Sequence, residues 1–215
     1  MIQKSGAGSG GDVVPGVDEC PALRLMSAAF HEAGHAAIAY AVWPGIVITS
    51  ASIIPDDTSL GRVTLDEPDD LLFGSDRDER VAAARAAEAD AVFCLAGYVA
   101  EGLFYGHHEL PDFVLGTQDF GDLVQTTAVT GDGDSTRVCH ALAYQDSVRD
   151  LLEDPRVWRA VSLVASSLIR ERTLSGEQIR AIVDAAGVQL DPEKELLFAP
   201  SDEDDDGEAF SWERF

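Results

Sequence analysis

The sequence predicts a mainly α, single-domain fold in which a small β-hairpin or sheet lies beside one apolar helix. Three observations carry this. Long Ala-rich stretches place apolar residues at helical spacing; only one region, 46–65, alternates β-branched residues around a turn; and 215 residues, 46% hydrophobic, suffice for one substantial core. The organisation expected is an arm at 1–19, a folded domain at 20–190 and an acidic tail at 191–215.

Residues 1–19 are rich in Gly and Ser and have little to bury, so they read as a flexible arm. Pro21 suits a first helical turn. The run "PALRLMSAAFHEAGHAAIAYAVW" then keeps helical spacing until Pro44 and Gly45 stop it. "IVITSASIIP" and "LGRVTL" flank "DDTS" in the pattern of a hairpin or small sheet. From Asp76 to Tyr105 a second helix is predicted; its latter half, "AVFCLAGYVAEGLFYG", is small and apolar, fit to be buried against another helix, with Gly106 as its C-cap. Further helical patterns run from Asp122 to Val129, Ser135 to Leu152, Pro155 to Arg172 and Glu177 to Ala186.

Charge narrows the partners. Lys and Arg number 15 against 39 Asp and Glu, and a net charge of -24 repels phosphate backbones and anionic lipid. No nucleic-acid or membrane partner is expected. The apolar stretch from Ala36 to Ile48, broken at Pro44 and Gly45, is too short to span a bilayer, and the N-terminal residues lack the apolar core of a secretory signal. Cys20, Cys94 and Cys139 are odd in number and widely spaced, which fits a reducing cytoplasm; Cys94 and Cys139 read as core residues.

The chemistry concentrates in "HEAGH". On a helix, His31 and His35 lie one turn apart on one face and can share one ion, while Glu32 stands beside it. In this HExxH arrangement zinc activates a water and the glutamate takes its proton. The plainer alternative is a buried histidine pair with a solvated glutamate. Gly34 argues against it: a mid-helix glycine costs about 1 kcal/mol relative to Ala, which implies that another segment approaches closely. Burying a glutamate and two histidines unpartnered is also costly. A catalytic zinc needs a third protein ligand, for which spacing leaves open His107, His108, His140, Glu101, Asp119 and Asp122. Both His107 and His108 also read as exposed loop residues, and His140 as a helix-face residue.

With "IVITSASIIPDDTSLGRVTL", "CLAGYVAEGLFYG", "DLVQTT" and "VASSLIRERTLSGEQIRAIV" in that order, residues 22–187 resemble the peptidase domain of the FtsH family of zinc metalloproteases. The resemblance implies Zn2+ held by His31, His35 and Asp122, with Glu32 as catalytic base. Asp122 is preferred because Leu123 and Thr127 follow it as in the family's "DLxxAT"; Asp119 is the alternative, and an N-cap role is the bland reading of either. Tyr98 and Gly102 replace an arginine and an acid of the family pattern. The family's membrane anchor is not found, nor is its ATPase module: Lys4 and Lys194 are the only lysines and neither follows a glycine. Expected substrates are therefore unfolded, short or partner-delivered polypeptides, docking on the hairpin from Ile48 to Leu65.

The tail poses a separate question. "DEDDDGEAFSWE" has the spacing of a calcium loop, with Asp202, Asp204, Asp206, Gly207 and Glu213 at ligand and turn positions. Pro200 interrupts an entering helix and the sequence stops before an exiting one, so a solvated acidic segment is the expectation. Phe210, Trp212 and Phe215 make it a candidate anchor for a protein partner. The rival function is thus a non-catalytic zinc-binding protein acting as an interaction module through this tail; oligomeric state is left open.

Overall fold

The computed structural model describes residues 20–42, 46–55, 59–66, 76–106 and 134–188, with the backbone alone described at 76–90 and 134–143. Its elements are α1 (Pro21–Val42), β1 (Val47–Ser52), β2 (Arg62–Asp66), α2 (Asp76–Tyr105), α3 (Asp134–Glu153), α4 (Pro155–Glu171), β3 (Thr173–Ser175) and α5 (Gly176–Ala186). The fold is mainly α with a small antiparallel sheet of order β2-β1-β3. Among the described residues, no helix is long and apolar enough to cross a membrane.

Helix α1 runs through the core. Ala33, Ala36, Ala37, Ile38 and Ala39 are fully buried because α2 packs along one side of the helix and α4 along another. The α2 face is built of Ala91, Leu95, Ala96, Val99 and Ala100, apolar and mostly small, all buried as the sequence predicts. On α4, Val157, Ala160, Val161, Val164, Ala165 and Leu168 form an apolar stripe at helical spacing. Burying one such Val or Leu contributes about 1.5–3 kcal/mol, whereas the alanines of α1 contribute chiefly by letting backbones come close.

The sheet is larger than the predicted hairpin. Thr173–Ser175, a three-residue link between helices, has no periodicity to read, yet it pairs with β1 through Ala51 opposite Leu174. The tie is reinforced where Ile53 N donates to Arg172 O at 2.9 Å and Ser52 Oγ meets Thr173 Oγ1 at 3.0 Å. Arg172, the C-cap of α4, takes a left-handed φ of 69° to make that exit. In β1 a register shift between Ile48 and Ser50 inserts one residue, so Ile48 and Ala51 both face the core although an odd spacing separates them. Thr49 Oγ1 donates to Thr64 O across this bulge, at 3.1 Å.

Helix ends follow their sequence signals. Ser175 and Gln178 form a reciprocal capping box on α5, which Gly187 closes in the left-handed conformation. Gly106, with φ 74°, closes α2 in the predicted place. Asp154 caps α4, accepting from Arg156 N at 2.8 Å and from the Arg156 guanidinium at 2.8 Å. The hydrogen bonds from Arg156 hold the Asp154 carboxyl down to about 2. A depressed carboxyl contributes stability that is complete above its ordinary value of 3.8 and is lost as pH falls toward 2. Asp154→Ala is expected to cost about 1 kcal/mol at neutral pH. Urea denaturation should also show a smaller acid-dependent loss in that window than for the unsubstituted chain.

Candidate functional site

The site forms where α1 and α2 come closest. A Cβ placed on Gly34 would stand 2.5 Å from Ala96 O and 2.6 Å from Ala100 Cβ, so the glycine marks the close approach that its sequence position predicts. This contact brings the α2 backbone beside the two histidines of the next and preceding turns.

His31 and His35 point into that seam, and their Nε2 atoms are 3.1 Å apart. His35 Nδ1 lies 2.8 Å from Phe93 O, a carbonyl that can only accept, so Nδ1 is the donor there and Nε2 is the atom left facing His31. His31 Nδ1 lies 3.4 Å from Glu101 Oε2. Burial pushes the Glu101 carboxyl up, but the hydrogen bonds with His31 and Ser27 and the attraction of His31 outweigh it and leave the group below its ordinary value. Glu101 is therefore an anionic acceptor at neutral pH, and His31 likewise turns Nε2 toward its neighbour. Two lone pairs aimed at one place are held together either by a shared proton or by a cation.

Gly97 of α2 lies close against the pair: a Cβ there would stand 2.5 Å from both Nε2 atoms, so only a residue without a side chain fits beside them. Nitrogens each 2.0–2.1 Å from a tetrahedral zinc are about 3.3 Å apart, close to the observed separation. The rings are walled by Tyr98, edge-on to His31 with centroids 4.6 Å apart, and by Phe93, 4.7 Å from His35. Tyr98, a departure from the resembled pattern, thus packs directly on a histidine.

Glu32 is 5% exposed, a strongly buried position for a carboxylate. It reaches the hairpin side of α1, where a Cβ on Gly61 would come within 2.6 Å of its Oε1. The segment leading into β2 thus lies across this carboxylate. His31 and His35 are accordingly brought together, while Glu32, between them in sequence, turns to the hairpin side.

Glu101, one of the open choices for a third ligand, instead sits at Nδ1, the far side of the His31 ring from Nε2. Asp122, Asp119, His107 and His108 lie outside the described residues, as does the tail; so do the side chains of Cys139 and His140. Among the described residues no group of three His, Cys, Asp or Glu side chains converges as a metal-binding set. Cys94 is buried and unbridged and Cys20 is exposed. Two contributors escaped the sequence reading: Ser27, whose Oγ donates to Glu101 Oε1, and the carbonyl of Phe93. A polar residue one turn before His31 on an apolar helix was the available signal for Ser27; a backbone carbonyl leaves none. No protein-family model and no curated protein matches this sequence.

Gly34→Ala tests the seam. The methyl gains about 1 kcal/mol of helix propensity and about 0.8 kcal/mol of burial. Against this, a contact of 2.5 Å with a backbone carbonyl forces α1 and α2 apart as rigid bodies. Overpacking of this kind costs typically 1–3 kcal/mol on top of what is gained. A lowered denaturation midpoint is expected, where an exposed helical Gly→Ala change would raise it.

Proposed function

We propose that the protein is a zinc metallopeptidase that hydrolyses peptide bonds in unfolded, short or partner-delivered polypeptides. The observation that carries this reading is the convergence of the His31 and His35 Nε2 atoms, each ring anchored at Nδ1 by an acceptor, beside a glycine that brings no side chain against them. Histidines oriented through their second nitrogen by a carboxylate and a carbonyl are the usual support of zinc-binding imidazoles. The donor set fits Zn2+, with Asp122, or Asp119 in its stead, proposed as the third ligand.

Zinc held there supplies an activated water and a Lewis acid for the scissile carbonyl. Glu32 is the general base: its buried carboxylate takes the proton from the attacking water and passes it to the leaving amine. An extended peptide pairs with a sheet edge. Within the hairpin, β1 is flanked by β2 and β3, so β2, which follows the Gly61 contact with Glu32, is the strand left for that pairing. The resemblance to the FtsH peptidase supports the same assignment of residues.

Glu32→Gln is expected to retain stoichiometric zinc and to lower cleavage of an unfolded casein-type substrate by 10²-fold or more, as loss of a general base does. Zinc retained with cleavage undiminished would overturn the mechanism. Zinc retained with no cleavage by the unsubstituted chain, even with candidate partners present, would favour the non-catalytic zinc-binding alternative. Gly97→Ala should weaken zinc uptake in a metal assay, because its Cβ would press on both Nε2 atoms and force the imidazoles apart.

A further inference from the structure

The described part of the site contains one polar chain that the peptide-cleaving chemistry does not use. Ser27 and His31 are one helical turn apart on α1 and so face the same way. Both reach the same carboxylate on α2: Ser27 Oγ donates to Glu101 Oε1, and His31 Nδ1 lies 3.4 Å from Glu101 Oε2. His31 is 15% and Glu101 21% exposed at the side chain, so solvent competes weakly for either. A glutamate side chain has three torsions, and one hydrogen bond to an imidazole leaves its carboxylate free to swing. A second bond, on the other oxygen, fixes its plane.

We infer that Ser27 is a positioning residue that clamps Glu101 against His31, thereby fixing the His31 tautomer and strengthening metal binding at Nε2. Without the clamp, Glu101 turns toward solvent, His31 Nδ1 loses its acceptor, and neutral His31 is free to carry its proton on Nε2, where it blocks a metal. With the clamp, the lone pair stays on Nε2. The contrast with His35 is instructive: its acceptor, Phe93 O, is fixed in the α2 backbone and needs no second support. The side-chain acceptor is the one that does.

The inference rests on the reading of His31 as a metal donor, and the test separates the two. In the full chain, Ser27→Ala and Ser27→Thr are compared with the unsubstituted protein by zinc competition against a chromophoric chelator. Metal-free samples at alkaline pH are compared by nitrogen-15 NMR of the His31 ring. Expected are a loss of zinc affinity of roughly 10-fold in Ser27→Ala, the usual scale for an outer-shell partner, and a rise in its Nε2-protonated tautomer. Ser27→Thr should restore both, since it returns the hydroxyl. Circular dichroism checks folding; where Ser27→Ala unfolds, Ser27→Cys keeps the volume and weakens the donor. Unchanged affinity together with an unchanged tautomer overturns the inference. If the unsubstituted chain takes up no zinc, the metallopeptidase reading falls, and the tautomer alone decides the role of Ser27: a shift supports it and no shift overturns it.

Discussion

Everything described at the site depends on how near two helix backbones come. At Gly34 and Ala96 the main chains of α1 and α2 are separated by less than a methyl group needs. Only small residues permit this, and its energetic return is dispersion between many closely spaced atoms more than hydrophobic area. The geometry matters as much as the energy. Because α2 is drawn in, a main-chain carbonyl at Phe93 comes within hydrogen-bonding reach of one imidazole, and a glutamate two turns later comes within reach of the other. A wider seam filled by leucines would hold the helices together equally well and deprive both rings of their acceptors.

The sheet plays a complementary part. It lies on the other side of α1, and the segment entering β2 covers Glu32 at Gly61 while β3 locks β1 from behind. Gly176, at the start of α5, belongs to the same construction: a Cβ there would collide with Ile48 O at 1.6 Å, so the helix starts hard against the central strand. The two histidines therefore look toward a helix and the glutamate toward a strand. That division leaves the histidines supported by a rigid helix and Glu32 beside the segment that enters the sheet.

Much of this was legible in the sequence because it is local. The i, i+4 histidines, the proline stop after α1, the Gly106 cap and the α4 stripe each follow from residues a few positions apart. The Gly34 approach was legible too, since a glycine amid good helix formers signals a neighbour. What was not legible is whatever depends on a distant partner. Thr173–Ser175 becomes a strand only because β1 lies beside it, and Glu101 has as good a claim to the metal as to Nδ1 until the helix packing places it on one side of the ring. The role of Ser27 likewise shows only once the packing brings Glu101 beside it. Asp122 and Asp119, which the family resemblance rather than spacing ranked, lie outside the described residues.

The two imidazoles differ in what anchors them, and that difference bears on how such a site tolerates change over generations. His35 is held by a peptide carbonyl, an atom that every residue type supplies, so no codon change at Phe93 deletes it. His31 is held by a glutamate and a serine, each removable by a single substitution. One half of the pair is thus anchored by an atom that no substitution at Phe93 removes, while the anchor of the other half can be altered one side chain at a time.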